Sequence, residues 1–189
     1  MDPILLVPIA AFAAVAIASL LVIRRAGRAL VRTRDAETFR RATVDLAARS
    51  EASLKAACER IDAVRRRQIE PAAIEANLAA AGDAVRRYVE EADALRAPAE
   101  HDDFAANRAA ILAELERAGR ALEMVDHGCA VLVGVRRGPR ELEAQTSIKR
   151  GYLNLLHARA AIGRHALAVE ETRTTLDRGR RGALRDHTM

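Results

Sequence analysis

From Pro3 to Ile23 the chain carries no charged side chain: the 21 residues PILLVPIAAFAAVAIASLLVI hold four Ile, four Leu, three Val, one Phe, six Ala, one Ser and two Pro. As a helix rising about 1.5 Å per residue, the run would be about 30 Å long, the thickness of the hydrocarbon layer of a bilayer. A helix packed on one side of a water-soluble core keeps a polar face, and this run has none. The sequence therefore predicts a transmembrane anchor over residues 1–23. Asp2 is the only charged side chain before the run, whereas Arg24, Arg25, Arg28, Arg32 and Arg34 follow it. The positive-inside rule then places the N-terminus outside and the rest of the chain in the cytoplasm, a single pass of the cytoplasmic (inner) membrane. The same five arginines are the expected juxtamembrane lipid contacts. A cleaved signal peptide is the competing reading, because Ala16-Ile17-Ala18 resembles a small-x-small cleavage site. Against it, no basic residue precedes the run, and the arginines lie on the wrong side of it. Ala10, Ala14 and Ala18 recur every fourth residue, a row that would let two spans approach closely, so a homo-oligomer is an alternative.

Beyond Ile23 no stretch alternates apolar and polar residues as a strand would, and Pro71, Pro98 and Gly138-Pro139 are the main breaks in a chain with only ten Gly and five Pro. The fold class is therefore all-α: one N-terminal transmembrane helix, then an elongated, antiparallel, coiled-coil-like four-helix bundle over residues 24–178. Its helices are expected at about 28–69, 71–96, 102–135 and 140–178, with a basic flexible tail at 179–189. The first stretch carries Phe39, Ala42, Leu46, Leu54, Ala57, Ile61 and Val64 on one stripe, and the second Ile74, Leu78, Ala81, Val85, Tyr88, Ala92 and Leu95 at alternating gaps of four and three. The third carries Phe104, Ile111, Leu115, Ala118, Leu122, Val125, Cys129 and Leu132, with Asp102 or Asp103 as its cap. The fourth carries Leu142, Ile148, Tyr152, Leu155, Ile162, Val169 and Leu176, widened by Leu153, Leu156 and Leu167.

Charge is unevenly spread: residues 24–69 are net +7, 70–103 net −6, 104–135 net −1 and 136–189 net +6. In an antiparallel bundle the end far from the anchor would gather Arg65, Arg66 and Arg67 with Arg136, Arg137 and Arg140. Arginines at helix C-termini also complement the macrodipole, which is the plainer explanation for them. Nearby, Lys149, Arg150, Tyr152 and Asn154 surround Gly151, a mid-helix glycine that costs about 1 kcal/mol relative to alanine and so points to a close helix crossing or a kink. Asn154 is expected to fix register across the bundle. These ten side chains form the candidate interaction surface, for a protein partner that the sequence does not identify. Nucleic acid is disfavoured, since no aromatics are interleaved to stack on bases.

No phosphate-binding loop, dinucleotide fingerprint, HExxH, CxxC or GxSxG motif occurs. The expected function is a membrane-anchored scaffold or protein-interaction module without catalysis and without a cofactor. One alternative is a membrane-tethered binder of anionic polymer or lipid headgroups through the arginine-rich ends. Another is a metal-dependent activity at His127, Cys129 and His157, with His165 as the alternative to His157, although Cys129 lies in an apolar run and His127 points to a different helical face. Cys58 and Cys129 fall on different helices and imply no disulfide in a reducing compartment.

Overall fold

The computed structural model describes the backbone of residues 3–98, 102–134 and 138–186, and the side-chain surroundings of residues 16–17, 19–27, 31–98, 102–134 and 138–171. Helix α1 covers Pro3–Arg65, a 3-10 turn covers Pro71–Ile74, and α2 covers Glu75–Ala94, α3 Asp102–Gly134 and α4 Pro139–Asp186. Among the described residues there is no strand. The chain divides into two compact units, Met1–Thr38 and Phe39–Met189. In the first unit Ile17, Leu20, Leu21, Val22, Ile23 and Val31 are exposed. Among the described residues no helix is long and apolar enough to cross a membrane. Side chains 1–15, most of the uncharged run, lie outside that set.

The second unit is a helical bundle, and its cross-helix contacts fix the helix directions. Tyr88 meets Ser53 and Glu91 meets Arg49, so α2 runs antiparallel to α1. Arg108 reaches the carbonyls of Asp93 and Leu95, while the Cα of Gly119 faces Val85, so α3 runs antiparallel to α2. Ser147 donates to the carbonyl of Met124 and His165 meets Asn107, so α4 runs antiparallel to α3. Leu46, Leu54, Ile61, Ile74, Ile111, Leu115, Val125, Leu155, Ile162 and Val169 form the fully buried centre. The first buried side chain of α1 among the described residues is Phe39, whose ring lies 5.3 Å from that of Phe104. Phe39 is also the first member of the stripe expected on this helix, so the bundle core begins where that stripe does.

Thr43 and Ser50 are buried in α1 and were absent from the expected stripe. Each bonds a carbonyl of its own helix, Phe39 and Ala47 respectively, so burial leaves no hydroxyl unpaired. On α4 the expected stripe was too wide. Leu142, Leu153 and Leu167 are exposed, because the seam is held by Ala144, Gly151, Ala158, Ala161 and Ala166, small residues that bring the neighbouring backbone close.

Helix ends differ from the expected boundaries for local reasons. α1 stops at Arg65 rather than near 69, because Arg67 adopts φ 56° and the amides of Arg67 and Gln68 turn back onto the carbonyls of Val64 and Ala63. That is the paired-bond helix terminus usually built on glycine. α2 ends at Ala94 and not 96, with Leu95 already extended ahead of Pro98. Its last carbonyls are bonded by the Arg108 guanidinium of α3, at 2.8 Å from Asp93 O and 3.2 Å from Leu95 O. α4 opens on Pro139 after Gly138 at φ 131° and continues to Asp186. The stretch 179–186, expected as a flexible tail, is therefore helical, the propensity of its Arg, Leu and Ala residues outweighing Gly179 and Gly182. Residues 187–189 lie outside the described set.

Candidate interaction surface at the Arg65 end of the bundle

Where α1 terminates, the turn into the 3-10 helix folds against α3 and α4 and leaves a cleft of about 520 Å³. Val64, Ile69, Leu132 and Ile148 supply its apolar lining, and Arg65, Arg67 and Lys149 its cations, with Glu70 and Glu141 as counter-charges. Gln145 donates to Glu141 at 2.9 Å, which fixes that carboxylate on the α4 side. The Arg65 guanidinium lies 4.4 Å from the centre of the Tyr152 ring and 3.0 Å from Asp62, so the end of α1 is pinned to α4 by a cation–π contact and to its own helix by an ion pair. Tyr152 itself is half-buried and borders the core.

The structure thus gathers Arg65, Arg67, Lys149 and Tyr152 and leaves the other expected members apart. Arg66 pairs with Asp62 at 2.7 Å and does not line the cleft. Arg150 borders a different, shallower depression of about 410 Å³ with Met124, Leu142 and Ser147. Arg140 is exposed in the first turn of α4. Arg136 and Arg137 lie outside the described residues. Asn154 does not bridge the bundle: it is exposed, since the seam runs through Gly151, Leu155 and Ala158, and a residue three positions after Gly151 but one before Leu155 points outward. Of the arginines expected to contact lipid, Arg24, Arg25, Arg32 and Arg34 are exposed on α1, and the Arg28 side chain lies outside the described set.

Gly151 marks a close crossing and not a kink. A Cβ there would fall 2.6 Å from Val125 Cγ2 and 2.7 Å from the carbonyl oxygen of Ala121. The sequence reading missed its counterpart on α3, Gly128, where a Cβ would fall 2.7 Å from Ile148 Cγ1 and 2.9 Å from the Ala144 carbonyl. The same signal, a glycine inside an apolar helical stripe, was present at both positions.

His127, Cys129 and His157 are not assembled. His127 and His157 are exposed, Cys129 is buried, and among the described residues no three of His, Cys, Asp and Glu come together to hold a metal. His165 is taken by Asn107 at 3.2 Å. Both cysteines are free and buried. Burial pushes the Cys129 thiol up to about 11, helped by the nearby charge of Asp126, and burial raises the Cys58 thiol in the same direction. Thiols held protonated in this way are poor nucleophiles.

A second concavity, of about 630 Å³, lies between α2 and α3. On the α1 side of α2, Arg49 of α1 bonds Glu91 of α2 and Asp45 of its own helix, which hold its proton more tightly than usual, the Glu91 bond foremost. Comparison with protein-family models, curated proteins and solved structures gave no match.

Proposed function

We propose that the chain is a single-pass membrane protein whose helical bundle is a cytoplasmic protein-interaction scaffold and carries no catalysis of its own. The observation that carries this reading is the uncharged run Pro3–Ile23 closed by Arg24 and Arg25. Within it Leu20, Leu21, Val22 and Ile23 are all exposed on α1, at 51–68%. Successive residues of a helix advance about 100°, so these four cover almost its full circumference, a distribution suited to an apolar solvent rather than to one packed face. The arginines that follow favour the cytoplasmic side and anionic headgroups. The reading of the bundle as a scaffold draws on the cleft at the Arg65 end, where Arg67 occupies a left-handed conformation that costs an L-residue about 1–2 kcal/mol and lines the same cleft as Lys149.

Expression of the full chain in a bacterial host tests the anchor. Alkaline carbonate should leave it in the membrane pellet, Asp2→Cys should react with an impermeant maleimide from outside intact cells, and Ala13→Arg, at the middle of the uncharged run, should release a fraction of the protein, since a charge at a helix centre costs about 2.5–3.5 kcal/mol of insertion. Complete extraction of the unaltered chain by carbonate would refute the anchor. A second reading, binding of an anionic polymer through Arg65, Arg67 and Lys149, is separated by salt: polymer affinity should fall steeply between low and moderate ionic strength, and contact with the cleft's apolar lining should not.

A further inference from the structure

The α2–α3 concavity is lined by six carboxylates and two guanidinium groups. Asp83 is bonded by Arg86, and Glu116 is 3.9 Å from Arg120. The remaining four, Glu75 and Glu90 on α2 with Glu123 and Asp126 on α3, are exposed and have no ion-pair partner among the described residues. The apolar lining that solvent reaches is Ala79 and the half-buried Val89, with Leu78, Val85, Leu115 and Leu122 of the core beneath, only 0–4% exposed.

Two glycines line the same groove, Gly82 from α2 and Gly119 from α3. Neither is required by the bundle. A Cβ on Gly82 would meet nothing nearer than Arg86 Nη1 at 3.9 Å, and one on Gly119 nothing nearer than Val85 Cγ1 at 3.7 Å, both ordinary contacts. Mid-helix glycine lowers helix stability without a compensating contact here. What the two missing side chains do is leave the floor of the groove low along its middle.

We infer that this groove seats a basic amphipathic α-helix of a protein partner. Lysines and arginines flanking the apolar stripe of that helix would face Glu75 and Glu90 on one wall and Glu123 and Asp126 on the other, and the stripe would lie over Gly82 and Gly119. Residues 75–90 of α2 rise about 22 Å, room for roughly four turns of a docked helix. The charge of the walls excludes polyanions and selects a cationic partner, raising its rate of encounter. This assignment rests on the scaffold reading for its biological sense, and it names the partner chemistry of that scaffold.

The experiment is an anisotropy titration of the full chain in neutral maltoside micelles with a fluorescein-labelled, 20-residue designed helix carrying a Leu/Ala stripe flanked by Lys and Arg. A scrambled peptide of the same composition and protein-free micelles are the controls. Saturable one-to-one binding is expected, weakened at least tenfold by Glu90→Gln with Glu123→Gln and Asp126→Asn. A similar loss is expected from Gly82→Leu with Gly119→Leu, which fills the groove, and circular dichroism should show the bundle still folded in both variants. Absence of binding, equal binding of the scrambled peptide, or insensitivity to both sets of substitutions would overturn the proposal. So would self-association of the chain that the carboxylate changes relieve, which would give the groove to a second copy. Binding lost with Arg65→Ala and Lys149→Ala but kept in the groove variants would sink the groove alone. Groove binding by a chain that carbonate extracts would sink the anchor alone.

Discussion

Against α4, α3 comes so close that a Cβ on Gly128 or Gly151 would fall 2.6–2.9 Å from atoms of the other helix, two of them backbone carbonyl oxygens. Against α2, the same helix carries Gly119, where a Cβ would find nothing nearer than 3.7 Å, and Gly82 lines the gap from the other side. One residue type therefore closes one seam and opens the other. The difference teaches that a glycine inside a helical stripe has no fixed meaning until the distance to the neighbouring backbone is known. Where that backbone is in contact, glycine is a packing requirement; where it is not, the glycine is a conformational cost that the fold does not need.

Substitutions read this contrast directly, and the largest effect is expected on the closed seam. Gly151→Ala should destabilise the bundle by about 1–3 kcal/mol, because the Ala121 carbonyl cannot swing aside as a side chain could, so the helices must separate. Chemical denaturation with Gly128→Ala in parallel should give the same sign. The double variant should cost less than the sum, since one separation relieves both clashes. A neutral Gly151→Ala would break the comparison.

The closed seam also buries Cys129, next to Gly128, which gives an effect of pH. Its proton is held more tightly in the folded chain, at about 11 against an ordinary 9.0, so the contribution to stability is complete below about pH 9 and is lost as pH rises through 11. Denaturation midpoints should fall across that window, and Cys129→Ala should flatten the fall. Iodoacetamide at pH 8 should leave the folded chain unmodified. Rapid alkylation without unfolding would contradict the burial of both thiols.

Arg67 is the reverse case, a left-handed position occupied by an L-residue where glycine would relax the backbone. Arg67→Gly should stabilise by about 1 kcal/mol in thermal unfolding while removing one cation from the cleft. The smallest shift is expected in the open seam: Gly119→Ala and Gly82→Ala should each stabilise by about 0.5–1 kcal/mol, with the carboxylate walls unchanged.

Much of the bundle was legible in the sequence because period and punctuation act locally. Leu78, Val85 and Ala92 on α2, and Ile111, Leu115, Ala118 and Val125 on α3, are buried where the stripes placed them. The four-helix division followed from Pro71, Pro98 and Gly138-Pro139. What was not legible depends on distances between helices. Leu142, Leu153 and Leu167 looked like core and are exposed, because alanines and Gly151 set the approach of α4 and place those leucines off the seam. The helix end at Arg67 carries no glycine to announce it. Arg108, which bonds the last carbonyls of α2, is an unremarked arginine until the two helices are laid side by side. The candidate site was legible in part: Arg65, Arg67 and Lys149 line one cleft and Tyr152 packs on Arg65, whereas Asn154 lies one position off the seam. The carboxylates of the α2–α3 groove appeared in the sequence only as an acidic second stretch, since which of them share a wall depends on the pairing of two helices.

The measurement that tests the two-seam arrangement most directly is the thermal unfolding temperature of the full chain with Gly151→Ala and with Gly119→Ala, taken side by side. At about 2–4 °C per kcal/mol for a chain of this size, the first should fall by several degrees and the second should rise by about one to four. A fall of equal size in both would mean that α2 approaches α3 as closely as α4 does, and that no open groove lies between them.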